Sequence, residues 1–337
     1  MKIERNYDLT ELNTFGIVAK AKFFTEIKSE HDFWELVKTS EFKNNQKLFL
    51  GEGSNVLFTK DFDGLAILNK LKGIEILKED AENVWLKAMG GEKWNDLVSF
   101  SVEKGYWGLE NLSMVPGTVG AAPVQNIGAY GSEVKDVLED VEAMDIENEK
   151  KKIFTNKECQ FDYRDSIFKN ELKGKYFITA VVFKLNKKAN KNAAYKALQD
   201  YLKENKIEIK NSRDVSEAIA EIRRSKLPDP KILGNAGSFF KNVYVDIDKL
   251  LEIELQYPDI PSFEEKGMIK IPTAWLIEQC GWKGKRVGSV GVQIKQALVL
   301  INYGGATGQE VLDLANQIID SVHKKFGINL TLEVNLI

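Results

Sequence analysis

Residues 51–58 read GEGSNVLF and follow the apolar run Leu48–Leu50. A glycine-rich turn after a strand invites comparison with the dinucleotide fingerprint G-x-G-x-x-G. That pattern needs glycine where Val56 stands, and a P-loop needs a lysine the stretch lacks. What is left is a Gly/Ser/Asn turn. It is either a plain tight turn or a nest of backbone N–H groups able to cradle a pyrophosphate without a Rossmann fold. The surrounding chain also argues against a doubly wound sheet. Strand-like runs at 48–50, 66–69, 84–89, 141–146 and 176–185 are broken by one helical stretch with Trp94, Leu97, Val98 and Val102 on one face. Strand and helix alternate irregularly, as in an α+β fold.

The chain has 337 residues, enough for two or three domains. At 43% hydrophobic and 29% charged it has the composition of a soluble globular protein. A net charge of −3, with Lys and Asp/Glu interspersed, argues against nucleic acid as partner. The start, MKIERNYDLTEL, lacks the apolar segment of a signal peptide, and no apolar run approaches ~18 residues. No membrane partner is expected. Cys159 and Cys280 make neither a disulfide framework nor a zinc site, so a reduced cytoplasm and no metal are expected. The histidines are His31 and His323 alone.

The last third is more helical. Residues 212–227 form an amphipathic helix with a cap expected at Asp214 and Glu217, stopped by Pro228 and Pro230. Residues 307–327 give the clearest helix: a Thr307/Glu310 capping box, a stripe of Val311, Leu314, Ala315, Ile318, Ile319 and Val322, and Gly327 as stop. Residues 297–302 read as a buried strand. The chain ends in an alternating strand, with Leu332, Val334 and Leu336 on one face and Glu333 on the other. Between the halves, Tyr195, Leu198, Tyr201 and Leu202 recur at helical spacing in a Lys/Asn-rich stretch, 186–210.

Four segments could carry chemistry. GLENLSMVPGTVGAAPVQNIGAYGSEVKD (108–136) is irregular, semi-apolar and rich in glycine, which suits wrapping a large flat ligand such as a flavin. In CQFDYRDSIFK (159–169), Arg164 lies among aromatics; it is either a fork for a carboxylate or half of a surface pair with Asp165. In GNAGSFFKN (234–242), Ser238 could be a turn residue, a nucleophile or a proton donor. A serine nucleophile needs a base, and both histidines stand at apparent helix ends, so a turn residue or a positioned donor remains. Glu333 gains interest only if its strand lies under a cleft.

Taken together and in order, NTFG (13–16), LGEGSNVLF (50–58), GLENLSMVPGTVGAAPVQNIGAYG (108–131), CQFDYRDSIFK, KLPDPKILGNAGSFFKN (226–242), WLIEQCGWKG (275–284), QALVLIN (296–302) and LEV (332–334) resemble the UDP-N-acetylenolpyruvoylglucosamine reductases. The resemblance spans almost the whole chain. It implies an α+β fold: an FAD-binding domain of the vanillyl-alcohol-oxidase (PCMH) type in two subdomains, 1–70 and 71–212, and a C-terminal α+β substrate-binding domain, 213–337. The second subdomain would carry an inserted helical segment near 190–205, and the last strand would return to the active site.

It also implies a reaction of peptidoglycan precursor synthesis. NADPH reduces a non-covalent FAD. The enolpyruvyl ether of UDP-N-acetylglucosamine then takes a hydride from flavin N5 and a proton, giving UDP-N-acetylmuramate. By resemblance, Ser238 is the proton donor, and Arg164 and Glu333 stabilise the enolate, Glu333 as an acid kept protonated by partial burial. Gly51, Gly53, Ser54 and Asn55 and the segment bearing Pro116, Gly117, Thr118, Gly120, Ala121, Gln125, Asn126 and Gly128 would line FAD. Tyr163, Lys226, Asn242, Lys270 and Gln296 would contact substrate, Tyr195 matching the tyrosine of the subgroup with an extra loop. The partners implied are small molecules, and a monomer is expected. Two positions depart from the family: Val243 where proline commonly follows Lys-Asn, and Asn335 where a basic residue often follows Glu-Val.

Overall fold

The computed structural model describes residues 1–189, 194–265 and 267–337. The chain divides into two compact units: residues 1–7, 20–53 and 62–225 form the first, and residues 8–19, 54–61 and 226–337 the second.

The first unit holds two sheets. One has strand order Glu4–Asp8, Lys20–Ile27, Phe62–Asn69, Gln46–Leu50, and its last three strands run parallel. The other is a five-stranded antiparallel sheet in the order Lys150–Thr155, Leu138–Asp145, Tyr176–Asn186, Asn83–Met89, Ile74–Glu79. Strand 83–89 shows why a sheet forms here. Val84, Leu86 and Ala88 are buried while Asn83, Trp85 and Lys87 face outward, the period of two that a one-sided sheet requires.

Helices fill in around the sheets. α1 (Glu30–Val37) opens with a capping box between Ser29 and Asp32. Its Phe33 stacks on Phe177 at 4.6 Å, which joins it to the antiparallel sheet. α2 (Ser40–Asn44) follows it. α3 (Trp94–Glu103) buries Trp94, Leu97 and Val98 against Val84, Leu86 and Phe183. α4 (Lys196–Glu204) lies within the helical segment expected near 190–205; residues 190–193 lie outside the described residues.

α5 (Ser212–Lys226) packs Val215, Ala218, Ile219 and Ile222 on Trp107, Leu198 and Leu202. That apolar contact places it with the first unit, and the second unit resumes at Lys226, the last residue of this helix, rather than at 213. Its cap also sits one turn earlier than expected. Asn211 Oδ1 accepts from the N–H of Arg213 (2.9 Å) and Asp214 (3.3 Å), and Asp214 Oδ2 accepts in return from Asn211 N at 2.9 Å.

In the second unit, α6 (Ile247–Glu254) and α7 (Thr273–Gln279) precede α8 (Gly308–Phe326). α8 has the expected Thr307/Glu310 capping box and ends at Gly327, φ 65°. Two small antiparallel sheets accompany them: Val243–Val245, Met268–Ile271, Phe263–Glu265, and Arg286–Val287, Val290–Val292, Leu300–Asn302. The expected strand at 297–302 is thus regular only over its second half.

The N-terminal insert is pinned by Asn13, whose side chain bonds Leu9 O, Ile17 O and Ile17 N at 2.9–3.0 Å. Thr14 and Asn235 exchange hydrogen bonds at 2.6 and 2.9 Å. The terminal strand is shorter than the alternation predicts. As regular strand it covers Asn335–Leu336, parallel to Val56–Leu57, while Leu332 makes an isolated antiparallel bridge with Phe240; Leu336 is 42% exposed.

Candidate active site

Two glycine-bearing loops meet inside the first unit. A Cβ on Gly51 would overlap Thr118 Oγ1, so glycine is needed for the turn at 51–53 to approach the loop at 116–121. Glu52 clamps the two together: its Oε2 accepts from Gly117 N at 2.8 Å, and Lys93 Nζ lies 3.9 Å from Oε1.

The 116–121 loop is in turn hung on rigid elements. Trp94 N donates to Gly117 O, Val119 N to Glu92 O and Gly120 N to Gly90 O, each at 2.9 Å. A Cβ on Gly120 would come 3.0 Å from Gly90 Cα. The short helix Val119–Gln125 ends at Asn126, φ 45° and buried, whose side chain donates to Asp162 O and accepts from Lys135 N. Pro116 and Ala121 are exposed, Gly117, Thr118 and Gly120 buried, Gln125 and Gly128 half-buried. Small residues brought into close approach, on backbone held rigid by its own hydrogen bonds, fit a flat ligand such as the flavin expected here. No histidine stands in either loop, and Cys159 is a buried thiol pushed up to about 12 by burial, which suits a packing role. Nearby, burial also pushes the Glu110 carboxyl up, against the N–H of Gly108 that it accepts at 2.5 Å.

Arg164 rests on the far end of the same loop. Asp162 and Asp165 exchange backbone hydrogen bonds at 3.2 Å around Tyr163 and Arg164, and Arg164 takes φ 52°, uncommon for a bulky residue. Its Nη2 donates to Gly128 O at 2.5 Å, and its Cζ lies 5.3 Å from the centroid of Tyr163. A Cβ on Gly128 would come 2.9 Å from Arg164 Nη1, so the glycine makes room for the guanidinium. Asp165 turns its carboxylate to Ser166 N and Asn170 Nδ2, both at 2.9 Å.

Tyr195 is exposed at the start of α4, edge-on to Tyr130 with centroids 5.4 Å apart. Tyr130 meets the Arg223 side chain, whose Nε is buried without a hydrogen-bond partner among the described residues. The sequence reading passed over Glu52 and Arg223. Glu52 sits alone between two glycines, and Arg223 lies in a run, RRSK, that reads as solvated helix surface.

In the second unit the Ser238 segment is extended between two others. Phe239 N donates to Leu298 O at 2.8 Å on one side, and Phe239 O accepts from Glu333 N at 2.9 Å on the other. Ser238 is half-buried, while Phe239 and Phe240 are buried, Phe239 edge-on to Phe15 with centroids 6.1 Å apart. Glu333 O accepts from Asn55 Nδ2 at 3.2 Å. Asn335 sends both its N (3.1 Å) and its Nδ2 (3.0 Å) to Asn55 O, so this departure from the family supplies a tie of its own. Gln296 accepts from Leu298 N and Val299 N. Asn242 Oδ1 accepts from Thr273 N at 3.2 Å. One network thus ties Asn55, Ser238, Gln296 and Glu333.

The remaining second-unit residues are placed differently. Ser54 follows Gly53 and is half-buried, Lys226 is exposed at the end of α5, and Lys270 is ion-paired with Glu265, which also accepts from Tyr244 Oη at 2.8 Å. Among the described residues, no helix is long and apolar enough to cross a membrane, and no group of three or more His, Cys, Asp or Glu could hold a metal.

Known proteins are similar to this chain in sequence and fold. The model for the C-terminal domain of UDP-N-acetylenolpyruvoylglucosamine reductase matches residues 229–337, and that for an FAD binding domain matches residues 21–150. The UDP-N-acetylenolpyruvoylglucosamine reductase of Flavobacterium johnsoniae is 48% identical, with 100% of each chain covered. The same enzyme of Amoebophilus asiaticus is 47% identical over 100% of both chains, and that of Bdellovibrio bacteriovorus 44% over 99% of both. The crystal structure of UDP-N-acetylenolpyruvylglucosamine reductase from Thermus caldophilus superposes with a TM-score of 0.68, covering 100% of this chain and 99% of that one; at 22% identity it speaks for the fold alone. With full-length relatives at this identity, the chain belongs to the UDP-N-acetylenolpyruvoylglucosamine reductase family and is an FAD-dependent oxidoreductase.

Proposed function

We propose that the protein reduces the enolpyruvyl ether of UDP-N-acetylglucosamine to UDP-N-acetylmuramate, with NADPH as reductant. The observation that carries this reading is the hydrogen bond from Glu333 N to Phe239 O, which sets Glu333 beside the segment that bears Ser238, on a chain 48% identical along its whole length to a reductase of that name. Bound FAD supplies the hydride. The residues of this chain account for the rest.

Addition of hydride to the vinyl CH2 carbon sends the C=C electron pair toward the carboxylate as an enolate. Arg164 holds that carboxylate with a fork matched to two oxygens. Glu333, protonated, donates to the developing charge; one such donor is typically worth ~3 kcal/mol. Ser238 gives the Oγ proton to the neighbouring carbon. Serine is a weak acid, but an enolate carbon is a strong base, so the transfer is downhill. Water restores the serine proton afterwards. NADPH binds first and leaves before the UDP sugar binds.

In this reading the cradle of Gly51, Gly53, Ser54, Asn55 and the 116–128 segment carries FAD. Tyr163, Tyr195, Lys226, Asn242, Lys270 and Gln296 serve NADPH and the UDP sugar. Lys270 would exchange Glu265 for a phosphate. Both partners are partly exposed, and such pairs hold only about 0–1 kcal/mol, so the exchange is cheap.

The deciding experiment uses the flavin as its own indicator. NADPH added anaerobically should bleach the yellow protein, and the UDP-enolpyruvyl sugar should restore the colour. Bleaching without restoration would remove the substrate and leave the flavoprotein.

The Glu52 clamp gives a second expected result. Glu52→Ala removes the acceptor for Gly117 N–H, a bond to a charged group worth roughly 1.5–3 kcal/mol. FAD affinity should fall about tenfold or more by fluorescence titration of apoprotein, each 1.4 kcal/mol being a factor of ten. Glu52→Gln, which keeps an acceptor, should recover most of it. Unchanged affinity in Glu52→Ala would show that the clamp does not shape the cofactor cradle.

A further inference from the structure

α6 of the second unit presents an apolar face to solvent. Ile247, Leu251 and Leu255 are 54%, 52% and 86% exposed, and Leu255 continues the helix as its C-cap in αR geometry. They recur every four residues. At 3.6 residues per turn the three fall within about 80° of one another, a single stripe. The packing side of α6, where Leu250 and Ile253 are buried, lies about 100° and 160° round the helix from Leu251 at the stripe's centre. The stripe is therefore surplus to what this helix needs for folding.

Its edges are acidic on both flanks. By the same geometry Glu254 lies about 20° outside the stripe on one side and Asp248 about 20° outside on the other, with Glu252 beyond it. Asp246 caps the helix by accepting from Lys249 N at 2.8 Å. The basic residue of α6, Lys249, is engaged by Glu252 at 2.9 Å. Beside the first turn opens a shallow hollow of about 400 Å³ whose lining is mixed, with Val243, Tyr244, Met268 and Ile328 alongside Asp246 and Lys249.

Charge decides among occupants. A second copy of this face would set carboxylates against carboxylates, and like charges in register cost affinity. An anionic membrane surface would be repelled in the same way. Three exposed aliphatic residues are also too few for a stable dimer, which buries ~800 Å² per partner. An amphipathic helix with apolar residues at i, i+4 and lysine or arginine along its margins satisfies both stripe and rim. We propose that the exposed face of α6 is a docking site for a cationic amphipathic helix of a partner protein.

The test uses a fluorescein-labelled helical peptide of leucine and lysine and its leucine–glutamate counterpart, read by anisotropy against the FAD-loaded protein. The lysine peptide should bind wild type. The double variant Leu251→Ser, Leu255→Ser should bind it at least about tenfold more weakly while keeping thermal midpoint and turnover; each buried leucine lost is worth about a factor of ten. The glutamate peptide should bind at least as weakly as that. Absence of binding to wild type overturns the proposal, and so does binding that the serine variant leaves unchanged, which marks mere attraction to an acidic surface. A wild-type dimer in sedimentation that the serine variant dissolves would assign the face to a second copy instead. Binding of phosphatidylglycerol vesicles that the variant abolishes would assign it to a membrane and likewise overturn the proposal.

Discussion

Ser238→Ala should still be reduced by NADPH at the wild-type rate, yet return electrons to the UDP-enolpyruvyl sugar on the order of 10³-fold more slowly. A positioned general acid contributes typically 10²–10⁴-fold, and in the proposed mechanism its loss would leave the enolate without a donor at the right carbon. The substitution removes one oxygen and nothing else. The ladder that holds the segment consists of backbone bonds, Phe239 N to Leu298 O, Glu333 N to Phe239 O and Lys241 N to Thr331 O, and alanine keeps all of them. Phe239 and Phe240 remain buried anchors on either side of that ladder. Stopped-flow absorbance of the two half-reactions separates the roles. Equal losses in both would make Ser238 a binding residue. A loss confined to the oxidative half-reaction fits proton donation alone.

Local signals in the sequence carried the local structure. α8 was legible end to end, because cap, stripe and stop all act within a few residues of where they are written. So was strand 83–89, whose alternation is enforced by a sheet with one buried face. The cap of α5 was misplaced by one turn because Asn211–Asp214 and Asp214–Glu217 both spell a capping box; the earlier one wins, and helix then runs from Ser212.

What was illegible is non-local. Residues 8–19 and 54–61 join the second unit across long stretches of sequence. Their warrant lies in single residues, Asn13 folding the loop on itself and Thr14 reaching Asn235, and not in any period. Glu52 was missed for the same reason, since its partner Gly117 is far along the chain. Ser238, Arg164 and Glu333 take their proposed roles from the resemblance to a family and not from any local pattern. Glu333's backbone tie to Phe239 comes from the structure alone.

Gly308→Ala should lower the stability of the second unit by roughly 2 kcal/mol or more, against the expectation from helix propensity. At the first position of α8, alanine would ordinarily favour helix, by up to ~1 kcal/mol over glycine. Packing opposes it with a larger effect. Gly308 is buried, and a Cβ on it would overlap the backbone carbonyl of Phe58, with Thr59 Cα only 2.9 Å away. A backbone atom cannot rotate aside as a side chain can, so either α8 or the 56–59 segment must move. Overpacking of this kind typically costs 1–3 kcal/mol, occasionally more, which outweighs the propensity gain. The thermal midpoint should fall by about 4–8 °C.

The damage should also reach the chemistry. Leu57 O accepts from Ile337 N, and Thr59 N donates to Ile337 O, both at 2.9 Å, while Asn55 O holds Asn335. Displacing Phe58 therefore displaces the terminal segment that carries Glu333. In differential scanning and half-reaction assays, a lower midpoint should accompany a slower oxidative half-reaction, with reduction by NADPH less affected. A raised midpoint would mean that the 56–59 segment yields easily and that helix propensity governs this position.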